Sequence, residues 1–191
     1  MAIHGKAKGS SGDFEACPAG PQQLVCCDVV DLGVVDVTWQ GQIKRQHKIQ
    51  IRWQSGEHQT KDSKPALLIQ RYTLSMHEKA TLRKTLEAWR GRPFASDDEA
   101  EAFDIEAVIG VNAYGNIMHR QGDKGGTFAN LASIMPLPKG MARIVVRDYE
   151  RVCERDGYQQ PAQPEPARDD FDMRQPESDF VAAPDVDDIP F

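Results

Sequence analysis

Between Gln46 and Gln54, apolar and polar residues alternate without a break. Ile49, Ile51 and Trp53 fall on one side, and Lys48, Gln50 and Arg52 on the other. A period of two puts successive side chains on opposite faces of an extended chain. The segment therefore reads as a half-buried strand of an antiparallel sheet, with a cationic, hydrogen-bonding outer face. A lone strand cannot bury its apolar side, so the rest of the chain must supply partner strands and a cover.

Candidate partners lie on both sides. Gln22 to Val35 is rich in Val, Leu and Cys and reads as a first strand, with Gly33 marking a bulge or bend. Trp39-Gln40-Gly41-Gln42 reads as the turn into the alternating strand. A loop is expected from Ser55 to Ser63, followed by a third strand from Lys64 to Leu74. In that strand Leu67 and Ile69 face one way, and Leu68, Gln70 and Tyr72 the other. Val111 to His119 and Thr127 to Met135 read as fourth and fifth strands. The turn between them holds Gly122, Gly125 and Gly126, which permit positive φ. Ala142 to Cys153 is compatible with one more short element, strand near Ile144 or helix toward Val152.

Between the third and fourth strands the pattern turns helical. Ser75-x-x-Glu78 has the form of a capping box. Leu82, Leu86 and Trp89 make a buried stripe, with Lys79, Arg83 and Lys84 away from its centre. Gly91 and Pro93 stop the helix. Ser96-x-x-Glu99 caps a short acidic helix, and Phe103, Ile105, Val108 and Ile109 supply apolar anchors.

Charge divides the chain. From Glu154 to Phe191 there are eleven Asp/Glu and three Arg, a net of −8, against −6 for all 191 residues. Met1 to Cys153 therefore carries +2, so the acidic whole conceals a mildly basic body. The Pro-, Gln- and acid-rich C-terminal segment cannot bury enough apolar surface to offset its ordering entropy and is expected to be disordered. Mean hydropathy over the chain is −0.55. The expected division is a flexible arm over 1–20, a folded domain over 21–153 and an acidic tail over 154–191.

The order strand, strand, strand, helix, strand, strand is that of an OB-fold, the five-stranded Greek-key barrel with a helix between strands 3 and 4. The expected class is therefore mainly β. The last residues, Asp185, Val186, Asp187, Asp188, Ile189, Pro190 and Phe191, set acids before an apolar plug and a terminal aromatic ring. This ending resembles the acidic tip of bacterial single-stranded DNA-binding proteins, which in that family docks replication and repair enzymes. The resemblance implies a partner-binding role for Asp185, Asp187, Asp188, Ile189, Pro190 and Phe191. The body, roughly Gln23 to Gly140, is similar to OB-type single-stranded DNA-binding proteins of bacteriophages and prophages. The residues carrying that similarity are Lys64-Pro65, Arg71-Tyr72, Leu74-Ser75-x-His77-Glu78-Lys79, Leu82-Arg83-Lys84, Trp89-Arg90-Gly91-Arg92-Pro93-Phe94 and Ala129-Asn130-Leu131-Ala132-Ser133-Ile134.

Gripping a single strand without sequence preference needs a cationic groove for phosphates and exposed aromatic faces for bases. Lys48, Gln50 and Arg52 on the second strand, with Gln70, Arg71 and Tyr72 on the third, would lie side by side on the surface this fold uses for oligonucleotides. Lys44 and Arg45 add charge at the hairpin end, and Trp39 in the turn is the first stacking candidate. Trp53 and Trp89 read as core. The expected function is coating single-stranded DNA in phage-type replication or recombination, with enzymes recruited by the tip. A homo-oligomer would make physical sense, because one OB domain covers few nucleotides.

Other classes fit less well. The alternative is a protein-interaction adaptor whose OB barrel binds another protein and not DNA, with the tail as its business end. A small metal-dependent nuclease would need Asp28, Asp31 and Asp36 to converge, and turn or strand-edge carboxylates explain them better. His77-Glu78 lacks the second His of a zinc-protease helix, and Gly5-Lys6-Ala7-Lys8-Gly9 is no phosphate-binding loop. Cys17, Cys26, Cys27 and Cys153 form no Cys-x-x-Cys pair, which argues against metal or disulfide frameworks. No enzymatic activity, metal or cofactor is expected. With no apolar leader and no long apolar run, the expectation is a cytoplasmic protein of a bacterial host, away from membranes.

Overall fold

In a computed structural model, residues 15–39, 41–122 and 126–161 are described. The acidic tip, most of the N-terminal arm and most of the tail lie outside them. The protein is mainly β, with five antiparallel strands in one sheet: β1 (Gly20–Trp39), β2 (Gln42–Gln59), β3 (Pro65–Thr73), β4 (Asn112–Gln121) and β5 (Thr127–Pro136). The sheet order is β3-β2-β1-β4-β5, so β3 and β5 are the edges. Between β3 and β4 come helices α1 (Thr81–Arg90) and α2 (Asp97–Glu101) and a 3-10 turn at Ile105–Val108.

The alternation in β2 sets the core. Ile49, Ile51 and Trp53 are buried on one face beside Leu24 and Cys26 of β1 and Leu68 and Tyr72 of β3. The helix α1 contributes Leu82, Leu86 and Trp89 to the same cluster, as its spacing predicts. Truncating a core Leu of this kind to Ala costs about 2–5 kcal/mol. Gly91 closes α1 in the left-handed region, at φ 71°, with its own N–H and that of Arg92 on the last-turn carbonyls.

Gly33 does mark a bend. It sits at φ 66° inside a register shift between Asp31 and Val34, and its N–H donates to Asp31 Oδ1 at 2.7 Å. Beyond that bulge, β1 and β2 form a two-stranded ladder with each other out to Trp39 and Gln42, and among the described residues neither β3 nor β4 is in ladder register with it.

Several expectations need correction. Ser55 to Ser63 is not all loop, because β2 continues to Gln59. The Ser75 capping box does not form. The helix starts at Thr81 with Ala80 at its N-cap, and Ser75 Oγ instead accepts from His77 N, within the turn before the helix. Ser96 does cap α2, accepting from Glu99 N at 3.1 Å. Arg83 is not peripheral but buried, held by Glu87 and Asp97. Gly122 does not use a positive φ; its missing Cβ instead leaves room for the Phe128 ring. Of the two options for Ala142 to Cys153, no strand forms near Ile144; residues 142–151 run as a strap across the outer face of β1 and β2, and the chain turns helical only at a 3-10 turn, Val152–Glu154. Cys17, assigned by sequence to the N-terminal arm, is fully buried. No helix among the described residues is long and apolar enough to cross a membrane.

Candidate nucleic-acid interface

Residues opposite each other in antiparallel strands share a face. The pairs Gln50–Arg71, Arg52–Ile69 and Gln54–Leu67 therefore put Arg71, Ile69 and Leu67 on the side away from the core. Together with Gln50 and Arg52 they floor a groove of about 620 Å³. The β4–β5 hairpin forms one wall, with Arg120, Gln121, Gly122, Phe128, Ala129 and Asn130. Three guanidinium groups line this groove, and no Asp or Glu is among its described lining residues.

Phe128 was not among the sequence candidates. It is 56% exposed, an uncommon state for a large aromatic ring. A Cβ on Gly122 would stand 2.5 Å from Phe128 Cε2, so the ring lies close over that glycine. Arg120 was also missed; it sits opposite Phe128 across the hairpin. The signal available in sequence was an aromatic residue two places after a glycine-rich turn.

Four predicted site residues, Gln50, Arg52, Gln70 and Arg71, meet in the groove. Gln50 is buried rather than exposed, and its Oε1 accepts from Arg52 Nε (3.3 Å) and Nη2 (2.8 Å). Gln70 reaches across to the other sheet edge, where its Oε1 accepts from Leu131 N at 3.2 Å. Lys48 lies on the outer face next to the groove, and its Nζ donates to Thr73 Oγ1 at 2.6 Å. Lys44 lies four residues along the same face, on the protruding hairpin. Arg45, one residue on, leaves the opposite face and pairs in register with Asp36. The side chain of Trp39 lies outside the described residues.

Tyr72 requires correction. It is 5% exposed and belongs to the core cluster, and burial pushes its phenol up to about 12. It cannot stack on a base without leaving the core. The three aspartates do not converge either. Asp28 is fully buried against the strap, Asp31 contacts His47 Nε2 at 2.7 Å, and Asp36 is exposed beside Arg45 in the register.

The sequence matches no family model, and no curated protein resembles it at a significant level. The three arginines suit an anionic chain such as a phosphate backbone, and Arg52 is held in one orientation by its neighbours. A base could lie on Phe128, and Leu67 and Ile69 offer apolar contact to a sugar or a base edge. Trp53 and Trp89 sit in the core with ring centroids 5.7 Å apart and are not available for stacking.

Proposed function

We propose that the protein is a single-stranded DNA-binding protein whose groove between the β2–β3 face and the β4–β5 hairpin holds the strand. The observation that carries this reading is the pairing of a cationic floor and wall, Arg52, Arg71 and Arg120, with the exposed ring of Phe128. The sheet order β3-β2-β1-β4-β5, with a helix between β3 and β4, supports reading the body as an OB-fold barrel. The approach of β3 to β5 through the Gln70–Leu131 bond supports it too, although no strand ladder joins those edges. In such a barrel this face is the usual oligonucleotide surface. The phage-type role in replication or recombination rests only on the resemblance read from the residues of the body, which no family model or curated protein supports. Recruitment of enzymes by the tip, Asp185 to Phe191, rests on the terminal motif alone.

The test is a titration of oligo-dT across a salt series. Each phosphate neutralised on a single strand contributes about −0.7 to the slope of log K against log salt. Three groove arginines predict a slope of about −2. Binding that ignores salt, or no binding at about 20 mM salt, would remove the proposal and leave a protein-binding adaptor.

A further inference from the structure

The strap that follows β5 has no ladder of its own, yet side chains of the sheet hold its backbone at successive points. Gln23 Nε2 donates to Ala142 O at 2.8 Å. Asn112 bonds Ile144 in both directions, each at 2.9 Å, and Gln54 bonds Arg147 in both directions, at 2.6 and 2.9 Å. Asp28, fully buried, accepts from Tyr149 Oη at 3.0 Å, Val152 N at 2.9 Å and Arg151 Nε at 3.4 Å. Gln23, Gln54 and Asn112 are buried as well. Buried polar groups need partners, and the strap is where these find them. A strap so anchored is part of the domain rather than the start of a linker.

One of its residues, though not a lining residue of the groove, bonds a side chain that is. The Tyr149 hydroxyl donates to Asp28 and accepts from Arg52 Nη1 at 3.1 Å. Burial, with Asp28 adding to it, pushes this phenol up to about 12, so it remains a donor at neutral pH. Arg52 also gives Nε and Nη2 to Gln50 Oε1. Three of its five N–H groups are therefore engaged and the plane of the guanidinium is set, and among the described residues one N–H on each terminal nitrogen has no partner. A cation whose orientation is fixed beforehand loses less freedom when it meets a phosphate.

We propose that Tyr149, anchored on the strap behind the groove, is a positioning residue that orients Arg52 toward a backbone phosphate of single-stranded DNA. This rests on the reading of the groove given above. The test is a double-mutant cycle in the full chain, with Tyr149→Phe, Arg52→Ala and the pair, measured with oligo-dT over a salt series. Tyr149→Phe keeps the ring and is expected to weaken low-salt binding about threefold to tenfold while leaving the salt slope unchanged. Arg52→Ala is expected to reduce the slope by about 0.7. In the Arg52→Ala background, Tyr149→Phe should have no further effect, because its only route to the DNA is gone. An equal loss in both backgrounds, or no loss in the parent, overturns the positioning role while leaving the groove reading intact. If the parent chain itself ignores oligo-dT, the groove reading fails and this proposal falls with it. Should Tyr149→Phe unfold the chain, Arg52→Lys supplies the same information. Lysine keeps the charge but cannot serve Gln50 and Tyr149 in one plane. It should keep the slope and lose affinity, and parental affinity would overturn the proposal.

Discussion

Trp53 and Trp89 pack against each other at an interplanar angle of 52°, yet their indole nitrogens meet different fates. Trp89 Nε1 donates to Asn112 O at 3.2 Å, whereas Trp53 Nε1 is buried with no partner among the described residues. A buried donor without a partner costs about 1–3 kcal/mol. Trp53→Phe removes volume and an unmet donor together, while Trp89→Phe removes volume and a bond. Trp53→Phe is therefore expected to destabilise less than Trp89→Phe in urea unfolding, and the opposite order would show that packing volume alone governs the pair. Tyr72 and Phe128 make a second contrast. Tyr72→Ala should cost about 3–5 kcal/mol of stability. Phe128→Ala should leave the urea midpoint nearly unchanged and weaken oligo-dT binding by about 1–3 kcal/mol. The alternation in β3 separated Leu68 and Tyr72 from Leu67 and Ile69 correctly, but both sets are apolar, so period alone does not say which side is inward. Arg71 held that information, since it shares the Leu67/Ile69 side and a cation seeks water.

Among the elements, those with strong periodicity were legible and those held by tertiary bonds were not. The presence and order of the five strands, α1 with its Leu82-Leu86-Trp89 stripe and the bend at Gly33 follow from local pattern, whereas the far ends of β1 and β2, to Trp39 and from Gln42 to Gln59, run past the alternation. The strap could not be read, because its backbone is satisfied by Gln23, Gln54, Asn112 and Asp28, which lie on β1, β2 and β4. Ser75 misled for the opposite reason: it has the residue type of a cap but spends its hydroxyl on the turn before the helix. Glycines test how far local geometry decides. Gly41 and Gly91 both have positive φ, 77° and 71°, but an added Cβ at Gly41 meets nothing within 4 Å. At Gly91 it would lie 2.7 Å from Pro136 Cγ, where the end of α1 meets the end of β5. Gly41→Ala should cost about 1–2 kcal/mol for the backbone alone. Gly91→Ala should cost clearly more, because Pro136 is a stiff ring that cannot turn aside. Equal urea midpoints for the two variants would mean that the α1–β5 junction yields freely.

At the scale of the whole molecule the charge division becomes a question of competition. Residues 162–191 hold nine Asp/Glu and two Arg, all on the same chain as a groove lined by arginines and no described acid. A tethered polyanion acts at high effective concentration, so it can occupy cationic positions that DNA would otherwise take. Deleting residues 162–191 leaves the strap and its bonds to Asp28 in place, because those end at Val152. The truncated chain should then bind oligo-dT several-fold more tightly near 20 mM salt, and the gain should fade toward about 0.3 M as screening shortens to a few ångströms. Phe191→Ala separates charge from docking: it keeps every acid, so DNA affinity should match that of the intact chain even where the terminal ring is needed for a partner enzyme. Unchanged low-salt affinity after the deletion would mean that the tail does not compete for the groove.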